Sequence, residues 1–434
     1  MKIFKLSLYC LVFVGYISQI AAQTPAKKQT QSFLITNAII HIGNGTKIEN
    51  AALGFANGKI TYVGLASDAD TKGFDKIINV KGKSIYPGII APNTTLGLTE
   101  IDAIKPSLDF NEIGELNPNV RALTSFNPES KLIPTLRFNG VLTAQSTPRG
   151  GIISGQSAIM SLNAWNWEDA VLKADDGIHI NWPKKPNLRN ITDETRKENV
   201  QKNYENNLKA LKQIMVDAKA YAEMDKNDTK NLKLEALKGL FTSEKNLFLH
   251  VNGPKEIMES ALFFKNLGIQ KIVLVGASDV WRISDFVKSN NFPVILDRVH
   301  ALPEREDELP YLNYHIPKKL LDAGILFCLN YEGDMEAMGN RNLIFTAGTA
   351  AAYGVPYEEA LKLVTLNTAK ILGIDKQLGS IEIGKNATFF VCEGDALDMK
   401  TNQLIMAFIN GAEIELNSSQ LDLYKKYKSK YGLE

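Results

Sequence analysis

The chain has 434 residues, 44% of them hydrophobic and 22% charged. This is ordinary globular composition, with enough length for a large core and one or two domains. Its 49 basic and 48 acidic residues leave a formal net charge of +1, so the basic excess of a nucleic-acid partner surface is missing.

The N-terminus reads as a targeting segment. Lys2 and Lys5 precede an apolar run, Leu6 to Ile20, that ends at Ala21–Ala22 before a polar stretch. Residues 1–22 are therefore expected to be a secretory signal peptide, with no membrane span once it is removed. The mature chain would keep only Cys328 and Cys392, too few and too far apart for a disulfide framework or a zinc cluster. Both read as buried small hydrophobes. A secreted protein with so few cysteines suits a bacterial periplasm.

Short strands begin after Gln31, in "SFLITNAIIHIG", "AALGFANGKITYVG" and "KIINVKGKSIYPG", with Gly and Asn at the turns. They predict a small β domain over 32–83. From Ser84 the pattern changes to strands alternating with helical stretches, the mark of a parallel α/β fold. Eight strands are expected: Ser84–Ala91, Val141–Thr147, Ser157–Leu162, Gly177–Trp182, Asn246–Val251, Lys271–Val275, Phe292–Leu296 and Ile325–Asn330. That count and span predict a (βα)8 TIM-type barrel over 84–377. A long lysine-rich stretch, Thr192 to Leu240, carries Leu208, Leu211, Ile214, Met215 and Ala218 at helical spacing, so one face packs and the charged remainder is solvated. Strands return after the last helix, and 378–415 are expected to join 32–83 in one composite β-sandwich. Residues 416–434 read as a surface helix.

Four stretches resemble the amidohydrolase superfamily. "LITNAIIHIGNG…NGKITYVG" resembles its N-terminal sandwich and "KGKSIYPGIIAPNTTLGL" its first barrel strand. "EEALKLVTLNTAKILGIDKQLGSIEIGKNATFFV" resembles its last helix and return to the sandwich. "FNGVLTAQSTPRGGIISGQSAIM" is similar to the imidazolonepropionase-related subgroup. The resemblance implies hydrolysis of non-peptide carbon–nitrogen bonds, such as those of cyclic amides or imides. It also implies one or two divalent ions, often zinc, at the C-terminal mouth of the barrel, where they activate water and polarise a carbonyl.

Most of the family's ligand positions fall here on other residue types. Its His-x-His pair falls on Asn93 and Thr95, and neutral amide and hydroxyl oxygens are poor zinc ligands beside imidazole. Strand 4 offers His179 and Asn181 but no lysine or carboxylate. The strand 5 histidine is matched by His250, the strand 6 position falls on Gly276, and the strand 8 aspartate falls near Glu332, with Asp334 two residues on. His250 is the single matched histidine ligand. The resemblance therefore implies a degraded metal site and no cofactor, with zinc as the alternative.

Each candidate has a plain reading beside the functional one. Glu332 or Asp334 could be a general base, or a solvated loop carboxylate. His250 could contact a substrate, or be a hydrogen-bonded strand-end histidine. His300, with Arg298 and Arg305, could form an anion-binding rim, or be ordinary loop. His41 reads as structural and His315 as surface. "STPRGGIISGQS" could cradle a ligand with backbone N–H groups but lacks the Lys-Ser/Thr ending of a nucleotide loop. Asn163, Trp165, Asn166 and Trp167 could wall a pocket or pack elsewhere. Asn93, Thr94, Thr95, Asn252 and Asn330 could hydrogen-bond a ligand without metal. Two functions remain open. One is a secreted hydrolase of carbon–nitrogen bonds. The other is a catalytically silent, metal-free barrel that binds a small molecule, forms a homo-oligomer, or associates with an active amidohydrolase.

Overall fold

The computed structural model describes residues 24–224, 229–303 and 305–433; the expected signal peptide lies outside them. Two eight-stranded sheets organise the described residues. The first joins both termini. Its N-terminal strands are β1 (Phe33–His41), β2 (Lys47–Ala56), β3 (Lys59–Leu65), β4 (Lys76–Asn79) and β5 (Ser84–Pro87). Its C-terminal strands are β14 (Phe389–Cys392), β15 (Leu404–Ile409) and β16 (Ala412–Glu413). The seam between the two ends of the chain is the antiparallel pair β5 with β14. Asn57–Gly58 and Asn410–Gly411 turn the hairpins β2–β3 and β15–β16 with positive φ at both residues, as a two-residue turn matched to strand twist requires.

The second sheet is the barrel: β6 (Ile89–Thr94), β7 (Val141–Ser146), β8 (Ile153–Ser161), β9 (Val171–Asn181), β10 (Asn246–Val251), β11 (Ile272–Gly276), β12 (Val294–Leu296) and β13 (Phe327–Leu329). Each of the eight expected strands has a counterpart, although β8 and β9 begin earlier, at Ile153 and Val171, and two further differences matter. Ser84–Ala91 is not one strand. It breaks at Gly88, where an added Cβ would meet Leu142 and Thr388 at 3.0 Å, so β5 serves the terminal sheet and β6 the barrel. And β8 runs antiparallel to both neighbours. Its C-terminal end therefore lies at the face opposite the parallel strand ends. Asn163, Trp165, Asn166 and Trp167 are carried away from the mouth, and Trp165 is exposed.

Strands β13 and β6 are joined through a third segment. Leu329 N donates to Leu363 O and Ile90 N to Val364 O, both at 3.0 Å, so two residues of intervening backbone complete the ring. Inside, side chains alternate with the pleat. A lower layer is apolar: Ile90, Ile159, Phe248, Val273, Ile295 and Cys328. Two residues further along several of these strands come His250, Asp297 and Asn330. The β9–β10 crossover carries a helix, Glu194–Ala222, capped by Asp193 and buried along Leu211, Met215, Ala218 and Tyr221. Burying Leu211 and Met215 contributes roughly 1.5–3 kcal/mol each. The C-terminal helix, Ser419–Lys430, buries none of its residues.

Candidate active site

A cavity of about 460 Å³ opens among the C-terminal ends of the parallel strands, where barrels of this type place their sites. His250, Asn252, Gly276, Asp297 and Glu332 line it, with Trp182 and Lys184 beyond β9 and Glu256 and Asp279 on flanking segments. Asp279 is already paired with Arg282 and Arg305.

Two irregular strands build the polar layer beneath. In β6, three steps from Ala91 to Thr94 face two steps from Ala144 to Ser146 of β7. The extra residue is Asn93, at φ 45°. A bulge of this kind turns a side chain that regular pleating would place elsewhere. Asn93 Nδ2 donates to Glu332 Oε2 at 2.8 Å, and Asn330 Nδ2 donates to the same oxygen at 3.2 Å. Arg149, from the glycine-rich loop after β7, donates to Asn93 Oδ1 (3.0 Å), Asn93 O (2.7 Å) and Glu336 Oε1 (2.8 Å). Burial pushes the Glu336 carboxyl up, and Arg149 offsets only part of that rise.

The second irregularity is in β9. Ser157 pairs with Gly177 but Ile159 with Lys173, so β9 has extra residues there, with Asp175 at φ 47°. The next residue, Asp176, is 1% exposed. Its Oδ1 accepts from Ser157 Oγ at 2.6 Å and its Oδ2 from Gln145 Nε2 at 2.9 Å. Ser157 Oγ lies 2.9 Å from His179 Nε2, and His179 Nδ1 lies 2.9 Å from His250 Nε2. A continuous hydrogen-bonded row thus runs from a buried carboxyl to an imidazole that lines the cavity. Burial raises the Asp176 carboxyl to about 6. Burial, then the charge of Arg149, lowers His250 to about 3, and burial pushes His179 well below the usual imidazole range. Asp297 is raised by burial and by the negative charge of Glu332.

The structure brings together Asn93, His250, Gly276, Asn330 and Glu332. Thr95 sits just behind, buried, and Thr94 Oγ1 accepts from Asn340 Nδ2. Asp334 is exposed and outside the cavity lining, so the second proposed carboxylate base has no place in the site. His300 is also elsewhere: its Nε2 meets Thr349 Oγ1 at 2.7 Å beside a separate groove. The expected anion rim does not form. Arg298 stacks on Tyr331 and donates to its hydroxyl, while Arg305 is held by Asp279 and Glu308. His41 pairs with Glu358, away from the mouth. Cys328 is buried in the barrel floor, its thiol pushed up to about 12 by burial. Sequence reasoning passes over Asp176, Ser157, Gln145, Arg149, Glu336 and Asp297. The signal for Asp297 was available, since it continues the alternation of "VILD". For Asp176 it was not, because the bulge shifts the alternation.

Comparison with known proteins bears on the fold. The amidohydrolase family model matches residues 312–414. An amidohydrolase structure from Thermotoga maritima superposes with a TM-score of 0.76 at 23% identity, over 88% of this chain and 99% of that one. The 5-methylthioadenosine/S-adenosylhomocysteine deaminase of Acetivibrio thermocellus is 24% identical over 412 residues, 88% of this chain and 90% of that protein. The imidazolonepropionase of Picrophilus torridus is 38% identical over 81 residues, which is 17% of this chain and 21% of that protein. The chain thus has the TIM-type barrel and added sheet of the solved amidohydrolases.

Proposed function

We propose that this chain hydrolyses a carbon–nitrogen bond, other than an ordinary peptide link, in a small nitrogenous molecule held at the barrel mouth. The observation that carries this reading is one cavity at the strand ends, lined by His250, Asp297 and Glu332 without their converging on a single point. The amidohydrolase-type fold and the deaminase relative support the reaction class. His250 accepts the proton of the attacking water. Glu332, fixed by Asn93 and Asn330, accepts from an N–H of the substrate. Lys184 supplies a cation for the developing oxyanion.

In this reading protein side chains, not a resident metal, activate the water. The donor set supports that. Asn93 turns an N–H donor toward Glu332, its carbonyl oxygen meets a guanidinium, Gly276 has no side chain, and His250 Nε2 is engaged by His179. A structural or catalytic zinc needs about three ionised or imidazole ligands converging on one point. Among the described residues no group of three or more His, Cys, Asp and Glu converges in that way.

The test is a panel of cyclic amides, imides and imidazolones, offered to protein stripped with chelator and checked for zinc by elemental analysis. Turnover that survives chelation and is lost in His250→Gln supports the reading. Turnover that returns only with zinc sinks the metal-free part. Binding by calorimetry with no turnover anywhere in the panel favours the second reading, a silent binder or a partner subunit of an active amidohydrolase. One feature favours that second reading: Arg149, Asn93, Glu336 and Glu332 tie one side of the mouth into protein–protein bonds. Export to a periplasm belongs to the proposal too, on the strength of the apolar run at residues 1–22.

A further inference from the structure

We propose that Asp176, Ser157 and His179 form a proton relay that makes His250 Nδ1 the base of the cavity and stores the abstracted proton on Asp176. The inference rests on the hydrolase reading for its use, but the relay itself follows from the hydrogen bonds.

The direction of every bond in the row can be deduced from one end. Asn93 N donates to Gln145 Oε1 at 2.9 Å, which fixes the Gln145 amide with Nε2 toward Asp176 Oδ2 and Ser157 Oγ. With Asp176 ionised, both its oxygens accept, so Ser157 Oγ–H donates to Oδ1. The Ser157 oxygen must then accept from His179, which places the His179 proton on Nε2 and leaves Nδ1 as an acceptor. His250 therefore carries its proton on Nε2 and donates to His179 Nδ1. Its own Nδ1 is bare, and among the described residues nothing bonds to it. A buried carboxylate thus selects the tautomer of an imidazole two side chains away, as an orienting carboxylate does directly in a catalytic triad.

The same row can reverse. A cavity water gives a proton to His250 Nδ1, and its hydroxide oxygen bonds to the substrate carbonyl carbon. His250 passes its Nε2 proton to His179 Nδ1. His179 passes its Nε2 proton to Ser157 Oγ, and Ser157 passes its own to Asp176 Oδ1. Each intermediate group gains one proton and loses one, so the net result is a neutral Asp176 and no buried imidazolium. Running backwards, the row returns that proton from His250 Nδ1 to the leaving nitrogen as the carbon–nitrogen bond breaks. Geometry supports this resting place: Asp176 is buried and already accepts from Ser157 Oγ at 2.6 Å, and a neutral carboxyl is easier to bury than an imidazolium. Several charges face the row. Arg149 acts on both imidazoles, and Lys173 and Lys245 act near Asp176. Glu332, Asp297, Glu256 and Lys184 share the cavity with His250.

The test reads tautomers directly, without requiring activity. The chain has five histidines, so 15N-histidine labelling and two-bond proton–nitrogen correlation spectra can be assigned with single variants. At pH 8 both His179 and His250 are expected as Nε2–H forms. Asp176→Asn is nearly isosteric. Its Oδ1 must face Gln145, so its Nδ2 donates to Ser157, which reverses the row, and both histidines are expected to become Nδ1–H forms. Ser157→Ala checks the same link, since it removes the group that pins His179. Nδ1–H forms in the wild type, or unchanged tautomers in Asp176→Asn, would overturn the relay. On an active substrate, Asp176→Asn is expected to lower kcat about 100-fold or more, the scale of losing general-base function, with KM little changed. The expected tautomers with no turnover of any substrate leave the relay standing and count against the hydrolase reading alone.

Discussion

The two halves of the barrel are built by different rules. From β10 to β13 the strands are parallel, in unbroken register, and alternate cleanly between an apolar floor and a few polar tips. From β6 to β9 one strand is reversed and two carry bulges, at Asn93 and Asp175. The regular half supplies the cavity wall and much of the hydrophobic stability. The irregular half supplies Asp176, Ser157, Gln145, Asn93 and Arg149, the polar apparatus behind that wall. Side chains are re-aimed where the pleat is broken, while both halves bury apolar residues in the core.

Three measurements would sharpen or break that contrast. The largest effect is expected in the regular half. Phe248 is fully buried and stacks on His179 at 4.6 Å, so Phe248→Ala should cost about 4 kcal/mol in urea unfolding. A much smaller loss would mean that the floor around Phe248 collapses to fill the gap.

Next comes the linkage of Asp176. Its folded pKa, about 6, lies above its ordinary value of 3.8. The folded state therefore binds the proton more tightly, and this stabilisation is present below pH 3.8 and lost as pH rises through about 6. The wild type should lose roughly 2.4 kcal/mol through this group between pH 4 and pH 7. Subtracting the Asp176→Asn unfolding profile isolates the term from opposing contributions of His179 and His250. A flat difference would show that the irregular half does not hold a strained carboxylate.

The smallest effect is expected at Arg149. Its truncation to Ala leaves Glu336 without its cation in a site where their side chains are 18% and 11% exposed. The cost should be about 2 kcal/mol at pH 7 and should shrink as pH falls, since burial favours the neutral Glu336 carboxyl. An unchanged stability would mean that this loop is dispensable to the fold.

The same division governs what could be read from sequence. Strands of the regular half announce themselves through "NLFLHV", "IVLVG" and "FCLN", where a period of two marks the interior face and puts His250 and Asn330 at the mouth. In the irregular half the period fails. "KADDGIHIN" gives no hint that the second aspartate turns inward, because the turn depends on the left-handed conformation of Asp175. The reversal of β8 is also illegible, and it is what removes Trp165 from the site. Asp334 and His300 fail for a simpler reason. Each follows a strand end by enough residues for the loop to carry it elsewhere.

The seam between β13 and β6 sets an order on biosynthesis. The two strands that complete the ring are bridged by Leu363 and Val364, far downstream of β6. A chain emerging from the ribosome can have made all eight barrel strands and still hold two of them as open edges. Until residue 364 is available, those edges offer unpaired backbone N–H and C=O groups to any neighbouring strand. The terminal sheet waits longer still, since β5 pairs with β14 only after residue 392 has been made. Polypeptides released early, by stalling or by cleavage before this point, would therefore be the form of this protein most prone to aggregate.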